Sequence, residues 1–208
     1  MRSGSPRNAR LSAESPPVAL HERAEADLAF VRSVVERSTQ FTAVPGVGGV
    51  LMGLSALAAA YIADQQATPT RWLGVWFIEM LVATTIGTLM MVRKARRARL
   101  SLGAGPSRRF AFGLMPPLLV GGVLTVGAAG IGAWSLLPPI WLCCYGIAVL
   151  GAGAVSAAPI VPAMGGVFVL TGMLAVATPA TWGGVWLALA FGVAHIVTGI
   201  VVARNHGG

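Results

Sequence analysis

The chain has 208 residues, 55% of them hydrophobic and only 11% charged, with a net charge of +8 and a mean hydropathy of +0.74. A soluble domain carries about 25% charged residues, so this composition cannot clothe a water-exposed surface. Six of the fifteen Lys and Arg residues precede the first apolar run and seven lie between Arg93 and Arg109, a placement that reads as an orientation signal for membrane insertion and not as a nucleic-acid footprint.

Residues 1–17 are rich in Ser, Pro and Arg and are expected to form a disordered tail. Residues 18–43 follow as a cytoplasmic amphipathic helix, with Leu20, Ala24, Leu28, Val31, Val35 and Phe41 spaced along an apolar stripe. Its polar face nearly balances Arg23, Arg32 and Arg37 against Glu22, Glu25, Asp27 and Glu36. A helix meant for anionic lipid is usually basic, so this one suits a protein groove better, and a protein partner is expected through residues 18–41. The first 40 residues contain no continuous apolar core of the kind a signal peptide needs.

Six apolar spans come next, at 44–63, 72–92, 110–131, 136–155, 159–178 and 182–203. Each is long enough for the ~30 Å hydrocarbon layer at ~1.5 Å per helical residue. The expected fold is an all-α integral membrane protein whose six helices form three hairpins. An even number puts both termini on one side. The positive-inside rule makes that side the cytoplasm for the N-terminal segment, the 93–109 loop and the tail at 204–208, leaving Asp64 and Arg71 opposite. The preference for Arg over Lys fits a bacterial chain, hence a bacterial cytoplasmic (inner) membrane.

The sequence repeats itself. "TPTRWLGVW" at Thr68–Trp76 returns as "TPATWGGVW" at Thr178–Trp186, and "VPGVGGV" at Val44–Val50 returns as "VPAMGGV" at Val161–Val167. The hairpin of spans 1 and 2 therefore resembles that of spans 5 and 6. Span 3 carries a looser Pro117-to-Val123 echo, and span 4 opens on Pro138-Pro139-Ile140-Trp141. Three hairpins of one orientation would be parallel repeats, as known in some transporter folds.

Lipid is as apolar as Leu, so helices in it associate through close packing over small residues. Gly49 and Gly53 form a GxxxG in span 1, and Gly184, Ala188, Gly192 and Gly199 mark a small-residue face in span 6. Cys143 and Cys144 are adjacent within span 4 and are expected to be small apolar fillers, since neighbouring cysteines seldom form an unstrained disulfide.

Two titratable groups interrupt the spans, Glu79 in span 2 and His195 in span 6. Such groups are costly in a membrane and are functional candidates by default. Trp72, Trp76 and Glu79 share one helical face, with Glu79 seven residues into its span, or ~10 Å at ~1.5 Å per residue. The repeat sets Leu189 opposite Glu79 and leaves His195 six residues away, so a direct Glu79–His195 pair is not expected. Thr84, Thr85 and Thr88 lie on the other side of span 2. No HExxH, GxSxG or Walker-type pattern occurs, and no Ser or Cys stands near a plausible base. No enzyme activity, cofactor or metal site is expected.

Two functions fit. The first is a non-enzymatic interaction or regulatory module in the bilayer, partnered through its N-terminal helix. The second is a small permease or channel for an ion, a proton-coupled solute or a small solute, working through Glu79. Homo-oligomerisation is compatible with either.

Overall fold

A segment that crosses lipid must satisfy its own backbone hydrogen bonds, and a helix does so within itself. The computed structural model describes residues 22–23, 25–31, 40–99, 103 and 105–206. The chain divides into two units, Met1–Ser38 and Thr39–Gly208. In the first, residues 22–23 and 25–31 are helical, with Leu28 and Val31 largely exposed. The tail expected at 1–17 and the rest of the amphipathic helix up to residue 39 lie outside the described residues.

The second unit holds six helices: α1 (Gly46–Asp64), α2 (Pro69–Arg97), α3 (Gly105–Gly130), α4 (Leu137–Gly153, entered through a 3₁₀ turn at Trp134–Leu136), α5 (Ile160–Ala177) and α6 (Ala180–His206). Each is long and apolar enough to cross a membrane. The protein is an all-α, multi-pass membrane protein, and large apolar side chains such as Leu119, Val123, Leu170 and Val176 face outward, where lipid suits them.

The helix boundaries follow local chemistry. α2 starts at Pro69, three residues before the position expected from hydropathy, because proline is preorganised for the first helical position. Thr68 caps it, its side-chain oxygen accepting the Arg71 N–H at 3.3 Å. α2 also continues past the expected residue 92 to Arg97, with Lys94, Arg96 and Arg97 in the last turn, where the helix dipole favours cations. Lys94 Nζ donates to the carbonyls of Val44 and His206, each at 2.8 Å, tying the end of α2 to the start of α1 and the end of α6.

The helix expected to run to residue 43 does not cover residues 40–45. There Phe41 donates its N–H to the Val155 carbonyl at 2.7 Å and accepts from Ala157 N–H at 3.0 Å. Its ring, 4% exposed, stacks on Phe110 at 4.4 Å. Burying that ring and pairing the backbone with the α4–α5 connection outweigh helix continuation.

The helices follow one another as 3-4-5-6-1-2. The most extensive packing is of α4 on α5 and of α1 on α6, between hairpins and not within them. Both seams run over glycine. A methyl on Gly53 would meet the Gly192 carbonyl at 2.5 Å, and one on Gly199 would meet Val50 N at 2.5 Å and the Gly46 carbonyl at 2.7 Å. In the α4–α5 seam a methyl on Gly146 would meet the Gly165 carbonyl at 2.9 Å, and one on Gly153 would meet Pro162 N at 2.7 Å. Backbone lies on backbone, as association without a hydrophobic drive requires.

α6 is not a straight α-helix. After Gly183–Leu187 it widens into a π segment over Ala188–Ala194 and resumes at His195. An inserted residue rotates everything after it by about 100° relative to an unbroken helix. Gly192 and Gly199 consequently lie on α1, whereas a methyl on Gly184 would meet nothing within 4 Å. Ala188 is half-buried at the start of the π segment. The spacing of a straight helix puts all four near one face; in the structure Gly184 is off the α1 contact, and the π segment lies between it and Gly199.

Candidate functional site

The two intramembrane titratable residues occupy separate places. Glu79 is 8% exposed and belongs to the interface of α2 with α1. Its Oε1 lies 2.8 Å from Ser55 Oγ, which is also 2.9 Å from the Met52 carbonyl. One hydroxyl proton cannot serve both at once, and that makes the site tolerant. With Glu79 ionised, Ser55 donates to the carboxylate. With Glu79 protonated, Ser55 donates to Met52 and its oxygen accepts from the acid. Glu79 Oε2 has no hydrogen-bond partner among the described residues.

The carboxyl borders an open cleft of about 300 Å³ lined by Ser55, Ala58, Ala59, Ile62, Val75, Ile78 and Glu79. Its origin is in the sequence: three of the four α1 residues on its wall, Ser55, Ala58 and Ala59, are small, and only Ile62 is large. Because α2 starts at Pro69, Glu79 lies ten residues along the helix, or ~15 Å at ~1.5 Å per residue.

His195 is 5% exposed and sits where α6 resumes after the π segment. Its Nε2 lies 2.8 Å from the Tyr145 hydroxyl of α4. The ring belongs to an aromatic cluster with Tyr145, Phe168 and Phe191, at centroid distances of 5.5, 5.4 and 6.1 Å. Through Phe191 the cluster continues to Trp76 at 6.3 Å, then to Trp141, which stacks on Trp72 at 5.4 Å. Trp141 donates its indole N–H to Thr125 Oγ1 at 2.8 Å.

No hydrogen bond joins Glu79 to His195 among the described residues. Glu79 is held against α1 and His195 against α4, with aromatic rings occupying the interior between α2 and α6. Thr84, Thr85 and Thr88 are exposed on the outer side of α2, and Thr85 Oγ1 donates to the Leu81 carbonyl of its own helix. Cys143 and Cys144 are free and half-buried. A methyl on Gly172 would meet Cys143 Sγ at 2.6 Å and one on Gly121 would meet Cys144 Cβ at 3.1 Å, so both cysteines pack against glycines. Among the described residues no group of three or more His, Cys, Asp or Glu side chains is placed to hold a metal ion.

Sequence reasoning missed the two partners, Ser55 and Tyr145. Both carried a signal. Ser55 is the only Ser or Thr in α1. Tyr145 occupies the last position of a Pro-x-x-Trp-x-x-x-aromatic pattern that opens spans 2, 4 and 6, as Pro69-Trp72-Trp76, Pro138-Trp141-Tyr145 and Pro179-Trp182-Trp186. The copies share a register but not an environment: Trp72 and Trp76 enter the core, Trp182 is 52% exposed, and Trp186 donates to Thr178 Oγ1 at 2.8 Å. Comparison with protein-family models, with curated proteins and with solved structures returns no match.

Proposed function

We propose that this chain is a non-enzymatic interaction or regulatory module of a bacterial cytoplasmic membrane, with its termini in the cytoplasm and a protein partner on its N-terminal helix. The observation that carries the reading is the separation of the polar groups. A conduit lines one continuous path with polar side chains. Here Glu79 and His195 are bonded to different helices, the threonines of α2 face outward, and rings from α2, α4, α5 and α6 fill the interior. The glycine seams bring backbones into contact, a construction that suits a rigid scaffold. The exposed Leu28 and Val31 of the N-terminal helix supply apolar surface for a partner.

The test is cross-linking of tagged protein in its native membrane, comparing the full chain with one lacking residues 1–40. The expected result is a specific protein recovered in near-equal amount with the full chain and lost on truncation. A full chain that captures no specific protein would overturn the reading.

The permease or channel reading rests on the hairpin repeats, the bent spans and Glu79, a carboxyl that borders a cleft. A flux that depends on that carboxyl would restore it.

A further inference from the structure

We propose that the cleft between α1 and α2 is a binding site for a lipophilic amine, whose protonated nitrogen meets Glu79 and whose apolar body lies along Ala58, Ile62, Val75 and Ile78. The volume, about 300 Å³, stands at the small end of the ~300–1,000 Å³ range of small-molecule sites, and the wall is of their usual kind: apolar, with few polar groups.

The chemistry of those polar groups selects the ligand. Glu79 and Ser55 are the only lining residues with polar side chains. A hard metal cation wants six or more oxygens and would be under-coordinated. An anion would meet a carboxyl, and a purely apolar molecule would leave Oε2 without a donor. An ammonium group supplies up to three N–H donors and a charge opposite to that of the carboxylate. Ser55 already satisfies Oε1 at 2.8 Å, which leaves Oε2 able to accept from an occupant.

The internal repeat provides a comparison within the same chain. Ser55 lies seven residues after Gly48 of its Gly-Gly-Val; the same step reaches Gly172 from Gly165 and Ala128 from Gly121. Glu79 lies seven residues after Trp72; the same step reaches Leu189 from Trp182 and Ala148 from Trp141. Both members of the pair are absent from both other hairpins, which assemble with Gly and Leu or with two Ala in their place. Hairpin packing does not need a carboxyl and a hydroxyl here. The first hairpin carries them for another purpose.

The experiment uses the full chain in nanodiscs of phosphatidylcholine, a lipid with no primary amine. The probe is a mid-chain alkylamine with a diazirine on its hydrocarbon, beside the matching alcohol. Photolabelling is mapped by mass spectrometry on wild type, Glu79→Gln and Ala58→Leu, the last filling the cleft from its exposed edge while leaving the carboxyl intact. The expected result is amine labelling at Ile62, Val75 or Ile78 about tenfold above the alcohol, falling to the alcohol level in both variants. Equal labelling by amine and alcohol, or amine labelling indifferent to Ala58→Leu, would overturn the proposal.

Discussion

At the scale of single residues, the Ser55 hydroxyl decides how Glu79 is tolerated. Because Ser55 can turn to the Met52 carbonyl, the two sides of the pair are not equivalent. Replacing Glu79 by Gln keeps a donor and an acceptor at the site, and we expect a stability change within about 0.5 kcal/mol. Replacing Ser55 by Ala leaves a buried carboxyl with no partner on α1, at a cost of about 1–3 kcal/mol. Equilibrium unfolding in detergent should show that asymmetry; equal losses would mean that Ser55 has no second partner in practice. Tyr145→Phe removes the hydrogen bond to the buried His195 Nε2 and should cost about 1 kcal/mol by the same measurement. The two titratable residues were legible in the sequence because charge in an apolar run is conspicuous. Their partners were not, since a lone Ser or Tyr in a span resembles any other until the neighbouring helix is in place.

At the scale of elements, glycine determines which helices meet. Gly53 and Gly199 sit where α1 and α6 touch backbone to backbone, so Gly53→Val or Gly199→Val should cost at least about 1–3 kcal/mol through overpacking. Gly184→Ala is the control. Its side chain would enter open space, and helix propensity favours alanine by about 0.5–1 kcal/mol. Thermal unfolding of the three variants checks the ordering, and a Gly184→Ala loss as large as the others would refute the seam assignment. The six spans were readable from hydropathy to within five residues at each end, because length and apolarity are what a bilayer demands. The π segment of α6 was not. Within it Gly192 packs against Leu57 and Gly53 of α1, contacts between residues far apart in sequence that no hydropathy pattern displays.

At the scale of the whole molecule, the hairpins of the sequence are not the main packing units of the structure. The repeated "TPxxWxGVW" opens both α2 and α6, yet α1 lies on α6 and α4 on α5 more extensively than α5 lies on α6. Repetition reports how each helix begins and where its aromatic residues fall; side-chain volume decides which seam closes. Lys94 then joins three helix ends at one face of the bundle. Lys94→Met removes charge-assisted bonds to two carbonyls and should destabilise by about 1.5–3 kcal/mol, measurable as a lowered unfolding midpoint.

A closed interior, its polar groups forming no path, is what the proposed module requires. Reconstitution into liposomes with an imposed proton gradient and an internal pH-sensitive dye tests it most directly, on wild type and Glu79→Gln side by side. Both should dissipate the gradient no faster than protein-free liposomes. Rapid dissipation by wild type that Glu79→Gln abolishes would contradict it, and would make the carboxyl at the α1–α2 cleft part of a conduit.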